Sequence, residues 1–144
     1  MDKYISLDKI TGGKMAGDIH VTAEGWETRY SWGHTATVTN TNGDVLASAK
    51  YRYYNRTWEE YRFKSVLHGA LYNYVRDVTG VECHKPVCKR DQNPMKDKGA
   101  EMRRLARLSA RDFARSLYDN LCAIIDGDAT EEQIAAKFAA RAVA

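Results

Sequence analysis

Apolar and polar residues alternate between Arg29 and Thr39, and this stretch carries the clearest structural signal of the chain. One parity consists of Tyr30, Trp32, His34, Ala36 and Val38, and the other of Arg29, Ser31, Thr35, Thr37 and Thr39. A period of two is typical of an antiparallel strand with one buried face. Asn42-Gly43 favours a two-residue type I′ turn, so the pattern predicts a hairpin whose second strand runs from Val45 to Tyr54.

A helical period follows the hairpin. Thr57 and Glu60 have the spacing of a capping box, which predicts a helix that begins at Trp58, and Gly80 is a typical helix stop. The apolar positions of this helix recur every three or four residues and are Phe63, Val66, Leu67, Ala70, Leu71, Tyr74 and Val78. This apolar face is expected to cover the sheet.

Two further helices are predicted near the carboxyl end of the chain. Helical periodicity runs from about Ala100 to Asp126 and ends at Gly127. Thr130 and Gln133 form another capping box, before a short alanine-rich terminal helix. The preceding residues 81–99 contain two prolines and scattered charges, which are typical of an exposed connector.

The first 27 residues give an ambiguous pattern, because glycines separate short apolar pieces. The run from Asp18 to Thr22 is interpreted as a possible edge strand, and Gly12-Gly13-Lys14 as a turn, since it lacks the spacing of a Walker motif. Strands precede helices along the chain, which predicts an α+β fold: a small antiparallel sheet packed by a long helix, followed by a helical part. We expect a single domain over 1–144, made of 1–80, the connector 81–99 and the helical part 100–144.

Composition limits the class of protein. The 144 residues are 44% hydrophobic, enough for one core, and the mean hydropathy of −0.57 argues against a membrane span. The polar start of the chain has no signal-peptide core. Three cysteines, an odd number, fit reduced thiols and a cytoplasmic location. The net charge of +3 is a mild bias that does not by itself indicate a nucleic-acid partner.

A row of arginines is the main functional signal. Helical geometry places Arg104, Arg107, Arg111 and Arg115 in one row with Arg103 beside it. The residues predicted to lie on the opposite side are Met102, Ala106, Phe113, Leu117 and Ile124. The connector adds Lys85, Lys89, Arg90, Lys96 and Lys98, which gives ten basic against four acidic residues between Cys83 and Arg115. The row is expected on the outer side of the helix with few acids to offset it, as a docking surface for phosphates or acidic protein. The alternative is an ordinary solvated helix face.

A second candidate patch lies on the returning strand and its continuation. It consists of Lys50, Arg52, Tyr54 and Arg56. Aromatic rings beside cations can stack bases and hold a nucleic-acid backbone. The alternative is that the tyrosines of this strand simply pack the sheet.

Metal and catalytic chemistry have weaker support. Cys83-His84 with Cys88 could ligate zinc only with a fourth ligand from Cys122, His20, His34 or His68, and the alternative is a loop with two free thiols. No local spacing joins a nucleophile, a base and an orienting group, and His34 and His68 are interpreted as packing or hydrogen-bonded core residues. We therefore predict a non-enzymatic protein without a metal or another cofactor.

The run from Tyr53 to Phe63, YYNRTWEEYRF, resembles a segment found in small accessory proteins of bacteriophages and other mobile elements, including proteins of the anti-CRISPR kind. The resemblance covers about a dozen residues at a strand-to-helix junction. It implies stoichiometric inhibition, in which the small protein binds a host CRISPR effector nuclease and blocks guide loading, target binding or a required motion. Many such inhibitors imitate DNA with acidic surfaces, whereas this chain is basic where it is most charged.

Two functions of different class are therefore expected. The first is a non-enzymatic inhibitor whose arginine row and lysine-rich connector meet an effector nuclease or its guide RNA. The second is a small nucleic-acid-binding protein whose same basic surface contacts DNA or RNA phosphates without strong sequence preference. The sequence leaves the oligomeric state open.

Overall fold

The sheet is a meander of four antiparallel strands. The computed structural model describes residues 2–53 and 59–143, with side chains from 2–53 and 64–142. The strands β1 (Asp2–Ser6), β2 (Asp18–Glu27), β3 (Trp32–Thr39) and β4 (Val45–Tyr53) lie in the order β1-β2-β3-β4. The helices are α1 (Leu7–Thr11), α2 (Glu59–Thr79), α3 (Lys98–Asp126) and α4 (Glu131–Val143). This architecture confirms the predicted α+β class.

The predicted hairpin is formed by β3 and β4, but its turn is longer than expected. Asn40 and Asp44 close a loop of three residues, in which the amide of Gly43 donates to the carbonyl of Asn40 and Gly43 has a φ of 86°. The register shifts between Val38 and Thr39, so a bulge accompanies the loop. A two-residue type I′ turn is therefore wrong here, because the side chain of Asn40 caps the loop by accepting from the amides of Asn42 and Asp44.

The first residues of the chain complete the sheet. The predicted edge strand is the start of β2, and it is an interior strand because β1 pairs along its outer side. The side chain of Ser6 caps α1, and its backbone amide donates to Glu131 Oε1 at 2.8 Å. Asn120 Nδ2 donates to the carbonyl of Ile10 at 3.1 Å. The N-terminal elements thus lie against α3 and α4.

Helix α2 covers one face of the sheet. Its residues Val66, Leu67, Ala70, Leu71 and Tyr74 are buried, as predicted, in one cluster with the inward residues of β2 and β3. Val78 is 45% exposed and lies outside this cluster, and Gly80 ends the helix with a φ of 72°. The predicted start at Trp58, the capping box of Thr57 and Glu60, and the side chain of Phe63 lie outside the described residues.

The C-terminal helices follow the sequence signals. Helix α3 ends at Gly127, which has a φ of 79°, and Thr130 and Gln133 form the reciprocal capping box predicted before α4. The connector differs from the prediction, since it contains a short 3-10 helix, Lys89–Asp91, and buries Cys83 and Asp91. It is packed on α3 rather than fully exposed. None of the helices in the described part of the chain is long and apolar enough to cross a membrane.

Candidate nucleic-acid interface

The arginine row of α3 faces the protein, not the solvent, over the first half of the helix. Arg104 is only 8% exposed, whereas Met102 and Leu105 are 72% and 52% exposed. Up to about residue 110, the face of α3 that was predicted to be exposed is therefore turned toward the protein. The reason is the connector, which supplies acceptors for the guanidinium groups and thereby lets arginine occupy an inward position.

Two carboxylates neutralise the buried part of the row. Glu101 accepts from Arg104 Nε at 2.8 Å and from Arg104 Nη2 at 2.5 Å, while Arg104 Nη1 donates to the carbonyl of Asp91 at 3.1 Å. The carboxylate of Asp91 accepts from Arg107 Nε at 3.1 Å and Nη2 at 2.6 Å. These are fork-shaped, charge-assisted pairs in a mostly buried setting. We call Asp91, Glu101, Arg104 and Arg107 the connector lock.

The lock changes the acidity of its two carboxyl groups. The bonds from Arg104, together with the amide of Met95, lower the pKa of Glu101 from 4.5 to about 2. The hydrogen bonds from Arg107 hold the pKa of Asp91 below its ordinary value. The same pairs raise the pKa of Arg104 and of Arg107. Both carboxylates are therefore charged over the whole neutral range, and they balance the two arginines.

The rest of the row also has partners inside the chain. Arg111 Nη2 donates to the carbonyl of Lys85 at 2.8 Å, and Arg115 Nε lies 3.5 Å from Asp119 Oδ2. The expectation of an outward row that lacks acids is therefore wrong. Leu108, which lies near the row, borders the cavity between α3 and the connector. Its position next to Val81 and Val87 explains an apolar residue among the arginines.

The connector cations remain at the surface. The exposed members of the predicted set are Lys85, Lys89, Arg90, Lys96, Lys98, Arg103 and Arg115. Lys85 pairs with Glu82 at 2.5 Å, and Arg90 lies 3.8 Å from the Asp91 carboxylate. Lys96, Lys98 and Arg103 lie at the start of α3, where Asp97 is the N-cap, and Lys89 is in the 3-10 helix of the connector. The connector therefore presents a basic surface, although a smaller one than the sequence predicts.

The outer face of the sheet, which points away from α2, carries a different arrangement of cations. Residues that point to α2, such as Val21, Ala36 and Val38, are buried, while their neighbours Thr22, Thr35 and Thr37 are partly exposed. Trp26 lies on this outer face, opposite Gly33 on β3. Its ring covers Gly33 so closely that a Cβ there would come within 2.7 Å of the indole. The indole therefore contacts the backbone of the sheet at Gly33.

Two cations lie over this indole. Lys50 Nζ is 4.7 Å and Arg52 Cζ is 5.8 Å from the ring centroid of Trp26, and both cations are exposed. In the adjacent β2–β3 loop the guanidinium of Arg29 lies 5.5 Å from the ring of Tyr30, which is 82% exposed. We call Trp26, Arg29, Tyr30, Lys50 and Arg52 the aromatic–basic patch.

The charge of the outer face is uneven. Asp2, Asp18 and Glu24 lie on the side of β1 and β2, whereas Lys50 and Arg52 lie on β4. An anionic ligand is therefore directed to the β4 side of this face.

The secondary patch predicted from the sequence is partly in this position. Lys50 and Arg52 point outward as a pair, while Tyr51 and Tyr53 point to the helices. Tyr54 and Arg56 lie outside the described residues. Sequence reasoning missed Trp26, although the parity of Ile19, Val21 and Ala23 on the buried side would have placed Trp26 on the outer face.

The cysteines do not form a metal cluster. Cys83 is buried, Cys88 is exposed and Cys122 is intermediate, and all three are free thiols. His84 instead lies between two aromatic rings, 5.5 Å from Tyr72 and 4.8 Å from Tyr118. Within residues 2–53 and 59–143 no group of three or more potential ligands could hold a metal ion.

The connector lock predicts a specific loss of stability in acid. Because the pKa of Glu101 is about 2 in the folded protein and 4.5 without its partners, its contribution is complete above pH 4.5 and is lost as the pH falls towards 2. We expect the melting temperature of the wild type to fall more steeply over this interval than that of Glu101→Gln. Thermal unfolding monitored by circular dichroism at a series of pH values measures both. Parallel curves would contradict the assigned role of Glu101.

Comparison of the chain with protein-family models, with curated proteins and with solved structures finds no match. The function is therefore argued from the geometry of the two basic surfaces.

Proposed function

We propose that the protein binds single-stranded nucleic acid through the aromatic–basic patch. The observation that carries this proposal is the indole of Trp26, which covers Gly33 on the outer face of the sheet and has Lys50 and Arg52 over its ring. The arrangement combines an aromatic ring with cations, the two components that proteins use to bind single strands.

Single strands fit this patch better than duplexes. A duplex hides the faces of its bases, whereas an unpaired base can stack on an indole or a phenol ring, which contributes roughly 1–3 kcal/mol per base. Trp26 and Tyr30 provide two such rings, and each has a cation next to it. The hydroxyls of Thr35 and Thr37 continue the face as uncharged hydrogen-bonding groups. Nothing in this set reads a particular base, so we expect little sequence preference.

Fluorescence anisotropy with a labelled oligothymidine of about 15 nucleotides tests the proposal. Binding is expected to weaken steeply between about 50 and 200 mM salt, since phosphate contacts release counterions. Trp26→Ala is expected to lose about 10-fold in affinity, because one stacking platform is removed.

The matched control for Trp26→Ala is Tyr4→Ala. Tyr4 is another exposed aromatic residue. It stacks on His20 near the β1 edge of the sheet, which is the edge farthest from β4. Its substitution is expected to leave binding within about 2-fold. Equal affinities of the wild type and Trp26→Ala, or no binding of the wild type at low salt, would refute the proposal.

The exposed connector cations favour a second candidate. As the resemblance implies, the protein would inhibit a CRISPR effector nuclease in the bacterial cytoplasm, and Lys89, Lys96, Lys98 and Arg103 would contact acidic protein or the bound guide RNA. The arginine row contributes to this candidate only by fixing the connector. The resembling segment itself lies largely outside the described residues.

The two candidates differ in the partner that is sufficient for binding. A free oligonucleotide suffices for the first, whereas the second requires the effector complex. Reversal of Lys96 and Lys98 to glutamate is expected to abolish inhibition of target cleavage by a sensitive effector and to spare oligonucleotide binding. Inhibition that survives this reversal would reject the connector as the inhibitory surface.

A further inference from the structure

A second site lies on the inner face of the sheet, in a cleft between β4, α2 and α3. Its volume is about 410 Å³, within the range of small-molecule pockets. The residues that line it are Ala49, Tyr51, Ser65, His68, Gly69, Tyr72, Asn73 and Tyr118. None of these residues belongs to the aromatic–basic patch, so the cleft needs a separate explanation.

His68 is held in one orientation by α3. Its Nε2 lies 2.9 Å and 3.0 Å from the two carboxylate oxygens of Asp126. A carboxylate only accepts hydrogen bonds, so Nε2 carries the proton, and in the neutral ring Nδ1 is left as an acceptor. The sequence-based interpretation of His68 as a packing or hydrogen-bonded core residue is correct as to the hydrogen bond, but the side chain is about one-third exposed at the cleft.

Aromatic side chains form the walls. The rings of Tyr72 and Tyr118 meet edge to face with centroids 5.7 Å apart. The hydroxyl of Tyr51 approaches the backbone of α2 at Gly69, where a Cβ would come within 2.5 Å of it. Glycine at this position thus makes room for the tyrosine. The cleft presents flat apolar surfaces together with phenol groups.

The charge of the cleft limits its ligand. Among the lining residues that the structure describes there is no lysine or arginine, and the carboxylate of Asp126 is paired with His68. A phosphate would lack a cationic partner among these residues, whereas an uncharged ring needs no such partner. Asn73 donates its amide nitrogen to the carbonyl of Ser48, which leaves the amide oxygen as a further acceptor. The lining therefore matches a planar ligand that has several N–H or O–H donors.

We propose that this cleft binds an uncharged planar heterocycle of the size of a nucleoside. The ring would pack against the tyrosines, and an N–H of the heterocycle would donate to His68 Nδ1. The site is independent of the aromatic–basic patch, because it lies on the opposite face of the sheet and its ligand needs no phosphate group.

Titration of the protein with adenosine, guanosine, cytidine and uridine, one at a time, tests the site. Aromatic NMR signals of His68, Tyr72 and Tyr118 are expected to shift saturably with at least one nucleoside. His68→Gln retains an N–H donor for Asp126 and removes the ring acceptor, so its affinity is expected to fall by about 10-fold.

The matched control is His20→Gln. His20 also pairs with an aspartate, Asp2, but on the outer face of the sheet, so this variant is expected to bind nucleosides like the wild type. Trp26→Ala should also bind them normally, which separates this test from that of the patch. Absence of saturable shifts with all four nucleosides in the folded wild type would overturn the proposal, as would shifts confined to the signals of Trp26 and Tyr30.

Discussion

Reversal of Lys50 and Arg52 to glutamate is expected to weaken oligonucleotide binding by at least about 100-fold at moderate salt. These two exposed side chains are the cations nearest to Trp26. Their reversal removes two phosphate contacts and places two negative charges beside the stacking surface. Anisotropy at several salt concentrations should also give a plot of log affinity against log salt that is shallower by about 1.4, as the loss of two single-strand contacts requires.

Reversal of Lys96 and Lys98 provides the control for this variant. Both double variants change the formal net charge from +3 to −1, since each reversal subtracts two charges. They differ only in the place of the change, because Lys96 and Lys98 lie at the start of α3. We expect the control to retain binding within about 5-fold. Equal losses in the two variants would show that net charge, not the patch, determines affinity.

Asp91→Asn is expected to lower the melting temperature by about 10 °C, the largest effect among single substitutions of the connector lock. Asp91 is buried, and its carboxylate accepts both bonds from Arg107. Asparagine has the same shape, but it presents an N–H group to the guanidinium and leaves that cation without a counter-charge. The connector would detach from α3 before the rest of the fold. Thermal unfolding monitored by circular dichroism measures the change.

Asp119→Asn is the matched control for this substitution. It removes one carboxylate from the same protein, but the partner Arg115 is 3.5 Å away and both side chains are exposed. Exposed pairs contribute little, so the melting temperature should change by less than about 2 °C. A comparable fall in both variants would mean that the burial of Asp91 does not make its ion pair more important.

The elements with strong local signals were predicted from the sequence. The alternation around Trp32 to Thr39, the helical period of α2 and the capping box of Thr130 all correspond to elements of the structure. The strand β1 and the helix α1 were not recognised, because each has only five residues, too few to show a clear period. The length of the β3–β4 loop also escaped prediction, since it depends on the Asn40 side chain.

The candidate site was harder to predict than the fold. Arg104 and Arg107 have the spacing of a solvated face, and only the tertiary position of Asp91, thirteen and sixteen residues earlier, makes that face an inward one. Strand parity alone would have placed Trp26 on the outer face, but the contacts of its ring come from Gly33 and Lys50 on two other strands. Local patterns report periodicity, whereas these contacts depend on the assembly of distant segments.

The amide of Ser6 finds its acceptor in Glu131, 125 positions later in the chain. During translation, Ser6 therefore emerges long before the helix that carries Glu131 has been made. The hairpin of β3 and β4, with its local contacts, can form in the meantime. The contact between Ser6 and Glu131 can form only after α4 has been made. The nascent chain therefore passes through a stage in which the junction of β1 and α1 is uncovered.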